Sequence, residues 1–148
     1  VYATKYGNTE KVAKLIAEGI ISTEGNEVVV NKVKDVKLKK EDSYDLILIG
    51  SPAHFGSHIG SVKKFINKLP KTQLKVKAYA VFDTYITTDF EKAVKKMENQ
   101  ISEQMPDLTK ASPGLSIKVD GMKGPIATED LPKCKEFGIK LAQRYKSS

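Results

Sequence analysis

Apolar positions along this chain follow two alternating rhythms. Leu46 to Gly50 and Ala78 to Phe82 are unbroken apolar runs, the pattern of strands covered on both faces. Val28-Val29-Val30-Asn31-Lys32-Val33 decays into polar residues, and Leu115-Ser116-Ile117-Lys118-Val119 alternates strictly. Those two predict half-exposed strands at the edges of a sheet. Between the strands the spacing becomes helical. Val12, Ile16 and Ile20 share a face, as do Val62, Phe65, Ile66 and Leu69. Phe90, Ala93, Val94, Met97, Ile101 and Met105 make a longer stripe, with Phe90 its first core residue, and Leu131, Cys134, Phe137, Leu141 and Tyr145 close the chain. Such stripes are core-facing. Val36 to Ser43 is too short and charged for more than a turn or two of helix. Val1 to Thr4 is short for a central strand, so that strand is expected to continue before Val1.

Strands alternating with helices predict an α/β fold, a doubly wound five-stranded parallel sheet. With the alternating strands at the edges and the apolar ones inside, the strand order is 2-1-3-4-5. In that order the chain reverses direction beside the first strand, and ligands bind there, at the carboxyl ends of the strands. No linker, repeat or low-complexity tract divides the 148 residues, so one domain over 1–148 is expected.

The loop at that position is Thr4-Lys5-Tyr6-Gly7-Asn8-Thr9, which runs straight into a helix. The first turn of a helix leaves backbone N–H groups without intrahelical partners, and the helix dipole adds partial positive charge. Thr4, Asn8 and Thr9 add donors, and Gly7 lets a ligand approach the backbone. The loop suits a phosphate, although Asn and Thr also serve as ordinary caps. There is no G-x-x-x-x-G-K-[ST] and no G-x-G-x-x-G, so neither a nucleoside-triphosphate loop nor a dinucleotide fingerprint is present.

Tyr2, Thr4, Gly7, Thr9, Ala13 and Ile16 together resemble the flavodoxin signature, matched without a gap. That resemblance implies the same flavodoxin-like fold over the full length and FMN as cofactor. It also implies a short-chain form, since Ser112 to Thr128 is brief. Ser51-Pro52-Ala53-His54-Phe55-Gly56 resembles the segment that borders the flavin ring in this family. A proline-stiffened loop with His54 and Phe55 offers a flat wall and free amides. Asp83-Thr84-Tyr85 follows the fourth strand, and the resemblance implies backbone donors here, with Tyr85 as the stacking aromatic. The cysteine- and glycine-rich form of this loop is absent. His54 and His58 are candidates to titrate near the ring, although an exposed loop histidine is usually without function.

Composition narrows the functions. The formal charge is +7, with 24 of the 25 basic residues lysine and only Arg144 arginine. Nucleic-acid sites favour arginine forks and grouped basic residues, so no nucleic-acid partner is expected; an acidic redox protein suits the charge better. No apolar run approaches a membrane span and no signal-peptide pattern is visible. A single cysteine, Cys134, fits a reducing, cytoplasmic setting and a place in the core. No nucleophile, paired acid and base, or metal set stands in the three loops, so any chemistry belongs to the flavin. The leading expectation is a flavoprotein carrying electrons between redox proteins. The alternative is an FMN-dependent oxidoreductase on the same fold, such as a quinone reductase or a protoporphyrinogen-oxidase-like enzyme. A phosphorylatable receiver would need acidic residues where Thr4-Lys5 and Ser51-Pro52 stand, and is excluded.

Overall fold

A computed structural model describes residues 1–145. In chain order it contains α1 (Asn8–Ile21), β1 (Ser43–His54), β2 (Ser57–His58), α2 (Gly60–Lys68), β3 (Lys75–Tyr85), α3 (Lys92–Gln104), β4 (Thr109–Lys110), β5 (Leu115–Lys118) and α4 (Leu131–Arg144). β1 and β3 form the parallel centre, paired from Ser43 with Lys75 to Pro52 with Thr84. Tyr2 makes parallel bridges to both Lys32 and Gly50. The 1–4 segment therefore lies between the 28–33 segment and β1, while β4 and β5 lie along the far side of β3. Counting 1–4 and 28–33 as the first two strands, the order is the expected 2-1-3-4-5.

The sheet is packed on both faces. Tyr2, Phe82 and Ile117 meet Val12 and Ile16 of α1 and Cys134 of α4. Ile47, Ile49, Tyr79 and Val81 meet Val62 and Ile66 of α2 and Val94, Met97 and Ile101 of α3. α1 and α4 approach backbone to backbone: a Cβ on Gly138 would collide with the Ile16 carbonyl, and one on Gly19 with that of Lys135. Cys134 is fully buried, and burial pushes its thiol up to about 11, which makes it a core residue as expected.

Four local expectations need correction. Residues 28–33 touch the sheet through Tyr2, whose N–H donates to the Asn31 carbonyl and whose carbonyl accepts from Val33. Val29 and Val30 lie exposed rather than in a regular ladder. Residues 36–42 form irregular backbone and a turn without helix, with Val36 and Leu38 packed against the core and the charged residue between them left outside. The last edge strand starts earlier than expected, at Thr109, and is interrupted between β4 and β5. Pro113 lies in that gap and has no N–H for a ladder. Phe90 precedes α3 instead of opening its buried face; it is half exposed, edge-on to Tyr85.

Candidate functional site

Three loops meet at the carboxyl ends of the parallel strands. The first is shaped by its own residues. Gly7 adopts φ 90° and immediately precedes α1, and its N–H donates to Thr4 Oγ1 at 2.9 Å. That φ lies in the left-handed region, where a side chain is strained. A Cβ at Gly7 would meet nothing within 4 Å, so the turn is open on that side. The N–H groups of the first turn of α1 face outward without intrahelical partners. Lys5 Nζ lies 5.9 Å from the Tyr6 ring centroid. Thr9 is buried, and its hydroxyl pairs with that of Thr84 at 2.9 Å, which joins the first loop to the end of β3.

The second loop is a hairpin between β1 and β2, with His54 opposite Ser57 across the two residues Phe55 and Gly56. Both turn residues have positive φ, 51° and 72°, the signature of a type I′ turn. Pro52, Ala53 and His54 face the cleft. Phe55 and Gly56 do not: Phe55 stands 92 % exposed at the rim, edge-on to His54. Ser51 is buried. Its hydroxyl donates to the Pro52 carbonyl and accepts from the Ile59 N–H, so its side chain fixes the start of α2 rather than meeting the cleft.

His58 departs from the expectation of an exposed loop histidine. It is buried, with Nε2 2.6 Å from Gln100 Oε1 on α3. The Gln100 amide nitrogen donates to the Lys63 carbonyl and to Asn67 Oδ1. That fixes Oε1 as the acceptor and the His58 proton on Nε2. Burial first, then the charges of Lys63 and Lys96, hold His58 below its ordinary range, against the opposing Gln100 bond. The signal missed in the sequence was the spacing of Asn67, Gln100 and Gln104, which meet only when α2 packs on α3.

At the end of β3, Thr84 and Tyr85 line the cleft with Ile86. Asp83 does not: it lies on the face of the sheet opposite Thr84 and is tied to Val94 of α3 and to Ser116 below the cleft. It is fully buried, accepting from Ser116 at 2.6 Å and from the Val94 N–H at 3.0 Å. Ser116 Oγ in turn accepts the Glu91 N–H at 2.9 Å. Burial pushes Asp83 up to about 6, opposed by the Ser116 and Val94 bonds, with Glu91 and Asp89 adding to the rise. Asp83 therefore anchors, from behind, the segment that carries Tyr85 and Phe90.

Sequence reasoning also missed a fourth wall. Val119 pairs with Ile126 in a short hairpin closed by the Gly124 N–H to the Gly121 carbonyl. The hairpin brings Val119 and Met122 to the cleft, with the Tyr6 hydroxyl 3.5 Å from Met122 Sδ. Gly121-Met122-Lys123-Gly124-Pro125 was the available turn signal. The enclosed floor of the cleft is small, about 90 Å³. A larger hollow, about 810 Å³, lies between residues 28–31, α1 and the first half of β1. It is at the amino end of the strands and touches none of the three loops; Asn26, Asn31, Asp35 and Asp45 are among the residues that line it.

Residues 1–121 match the family model of the flavodoxin domain. The chain belongs to the flavodoxin family. It is similar to a flavodoxin of Aquifex aeolicus, 39 % identical over 69 residues, a match spanning 45 % of this chain and 36 % of that protein. The chain thus aligns with about a third of that relative's length. The likeness to a flavodoxin of Clostridium beijerinckii is 29 % identical and spans 96 % of each. Among solved structures, a flavodoxin from the domain Archaea superposes with a TM-score of 0.82, at 26 % identity over 99 % of this chain and 96 % of that one. Members of the flavodoxin family bind FMN. Among the described residues, no helix is long and apolar enough to cross a membrane.

Proposed function

We propose that this flavodoxin-family chain holds FMN in the cleft of the three loops and passes electrons between redox proteins. The observation that carries the reading is the first loop, an open left-handed turn at Gly7 pinned by Thr4 and followed by a free helix N-terminus. That arrangement fits a phosphate dianion, because backbone amides and the helix dipole stabilise the charge without a rearrangement on binding. Thr4 to Thr9 hold the phosphate, Lys5 adding a charge-assisted contact. Pro52, Ala53 and His54 form one wall for the ring, and Thr84, Tyr85 and Ile86 the opposite wall. When bound, FMN supplies the electron chemistry; the protein supplies position and exclusion of water. Tyr85, edge-on to Phe90, shields one side, and the Asp83–Ser116–Glu91 network fixes its loop.

The test is a titration of the cofactor-free chain with FMN, followed by visible absorption and protein fluorescence. Saturable stoichiometric binding with a perturbed flavin band is expected, and no binding in the micromolar range contradicts the reading. Steady-state turnover with NAD(P)H and a quinone then separates carrier from enzyme. A carrier shows no turnover above that of free FMN.

A further inference from the structure

The lysines are spread evenly along the sequence, but the fold sorts them. On the α1–α4 side three are paired, Lys14 with Glu10, Lys133 with Asp130 and Lys140 with Glu136, while Lys11 and Lys135 are not paired among the described residues. On the α2–α3 side only Lys92 is paired among the described residues, with Asp89. No carboxylate occurs between Asp45 and Asp83, while six lysines do. Lys63, Lys64 and Lys68 of α2 and Lys71 just beyond it are exposed, and so are Lys95 and Lys96 of α3. None of these six has an ion-pair partner among the described residues. The nearby Glu98 is turned to Lys110 instead. α2 and α3 bury their apolar sides in the same core cluster, so their lysines point outward on one face of the molecule.

This face reaches the cleft. Lys63 and Lys96 both act on His58, directly after the second loop. A Cβ on Gly56 would lie 3.5 Å from the Lys92 side chain. At that junction Phe55 is 92 % exposed, an uncovered aromatic beside Lys92, which is paired with Asp89, and at the edge of the unpaired lysines of α2 and α3.

We propose that the α2–α3 face, centred on Phe55 and its flanking lysines, is the docking surface for an acidic redox protein. The inference rests on the electron-carrier reading of the cleft. An aromatic anchor at the edge of an unpaired charged field is the usual composition of an interface, with charge guiding encounter and the aromatic supplying contact. The chemistry favours a protein over the other polyanions. The field is all lysine with no arginine fork for bases or phosphates. Its second exposed aromatic, Phe90, is held edge-on to Tyr85 rather than free to stack a base, and α2 and α3 turn their apolar faces to the core and not to a bilayer.

The experiment compares two FMN-loaded variants with the same charge change. One carries Lys63→Glu, Lys64→Glu, Lys95→Glu and Lys96→Glu; the other carries Lys14→Glu, Lys34→Glu, Lys135→Glu and Lys140→Glu. The probe is a ferredoxin of strongly negative net charge, used in stopped-flow electron transfer and in calorimetric titration at low and high salt. The face variant is expected to lose about ten-fold or more in rate and affinity at low salt, and the control about three-fold or less. Both should converge at high salt. A quadruple Lys→Gln form of the face, with less repulsion, should lose an intermediate amount, and Phe55→Ala should weaken binding without altering its salt dependence.

Equal losses in the two variants, or none in either, overturn the docking surface. So does a face variant that keeps ferredoxin binding but loses binding to duplex DNA or to anionic phosphatidylserine vesicles. Reduction by a small uncharged reductant should be the same in all forms. A chain that takes up no FMN overturns the carrier reading and this inference together, whereas normal FMN uptake with equal rates overturns this inference alone.

Discussion

The first and third loops end strands that flank β1 in one sheet and face one cleft, yet they are held in opposite ways. Thr4 to Thr9 is shaped from within: a left-handed glycine, a hydroxyl three residues before it, and a helix that starts at once. Its backbone is left open. The segment from Thr84 to Glu91 is held from behind by a buried carboxylate on the far side of the sheet, through Ser116 on another strand and Val94 on α3. One loop presents its backbone as the binding group. The other presents side chains and keeps its polar anchors out of reach of the ligand. A phosphate is met by dipoles, which must be free, and a ring by walls, which must be rigid.

The largest expected effect tests the rigid loop. A carboxyl whose pKa is raised by burial, from 3.8 to about 6, favours the folded state most when protonated. That contribution is fully present below about pH 4 and is lost as pH rises through about 6. It amounts to about 3 kcal/mol at 1.36 kcal/mol for each pH unit. Urea denaturation across pH 4 to 7 should show this fall in the native protein and a flattened profile in Asp83→Asn. The same slope in both would mean that Asp83 is not the group responsible.

Removing the intermediary should cost less. Ser116→Ala deletes the donor to Asp83 and the acceptor for the Glu91 N–H, with a loss of about 1–2 kcal/mol. Hydrogen exchange at Glu91 should accelerate while exchange at Gly7 stays unchanged. Acceleration in both loops would dissolve the distinction between them.

The open loop should be cheaper still to perturb. At Gly7 only backbone strain opposes a side chain, because the space is empty. Gly7→Ala should cost about 1 kcal/mol, measured by denaturation, with no change in the pH profile. A much larger cost would mean that the turn is packed rather than open.

The same difference explains what could be read in the sequence. The determinants of the first loop lie within six residues, so Gly7, Thr4 and the start of α1 were visible as a pattern. Pro52 and Ala53 follow from one conspicuous proline after an apolar strand. Asp83 was misplaced because its partner Ser116 is 33 residues away, and only strand alternation reveals which face it takes. Ser51 was misplaced because its hydroxyl is taken up locally, by the Pro52 carbonyl and the Ile59 N–H. His58 required Gln100, 42 residues on. The sheet order was legible because apolar runs and alternating runs differ in burial. The 28–33 segment was overestimated, because three consecutive valines favour extended backbone without guaranteeing a ladder.

The most direct test of the account is whether the two loops recognise different parts of the same cofactor. FMN and riboflavin differ only in the phosphate, so their dissociation constants should be measured for the native chain, Thr4→Val and Tyr85→Ala. The account predicts that Thr4→Val weakens FMN about five-fold, ~1 kcal/mol, and leaves riboflavin within a factor of about two. Tyr85→Ala should weaken both ligands by the same factor. Equal losses of FMN and riboflavin in Thr4→Val, or no loss of FMN, would contradict the assignment of the phosphate to the first loop.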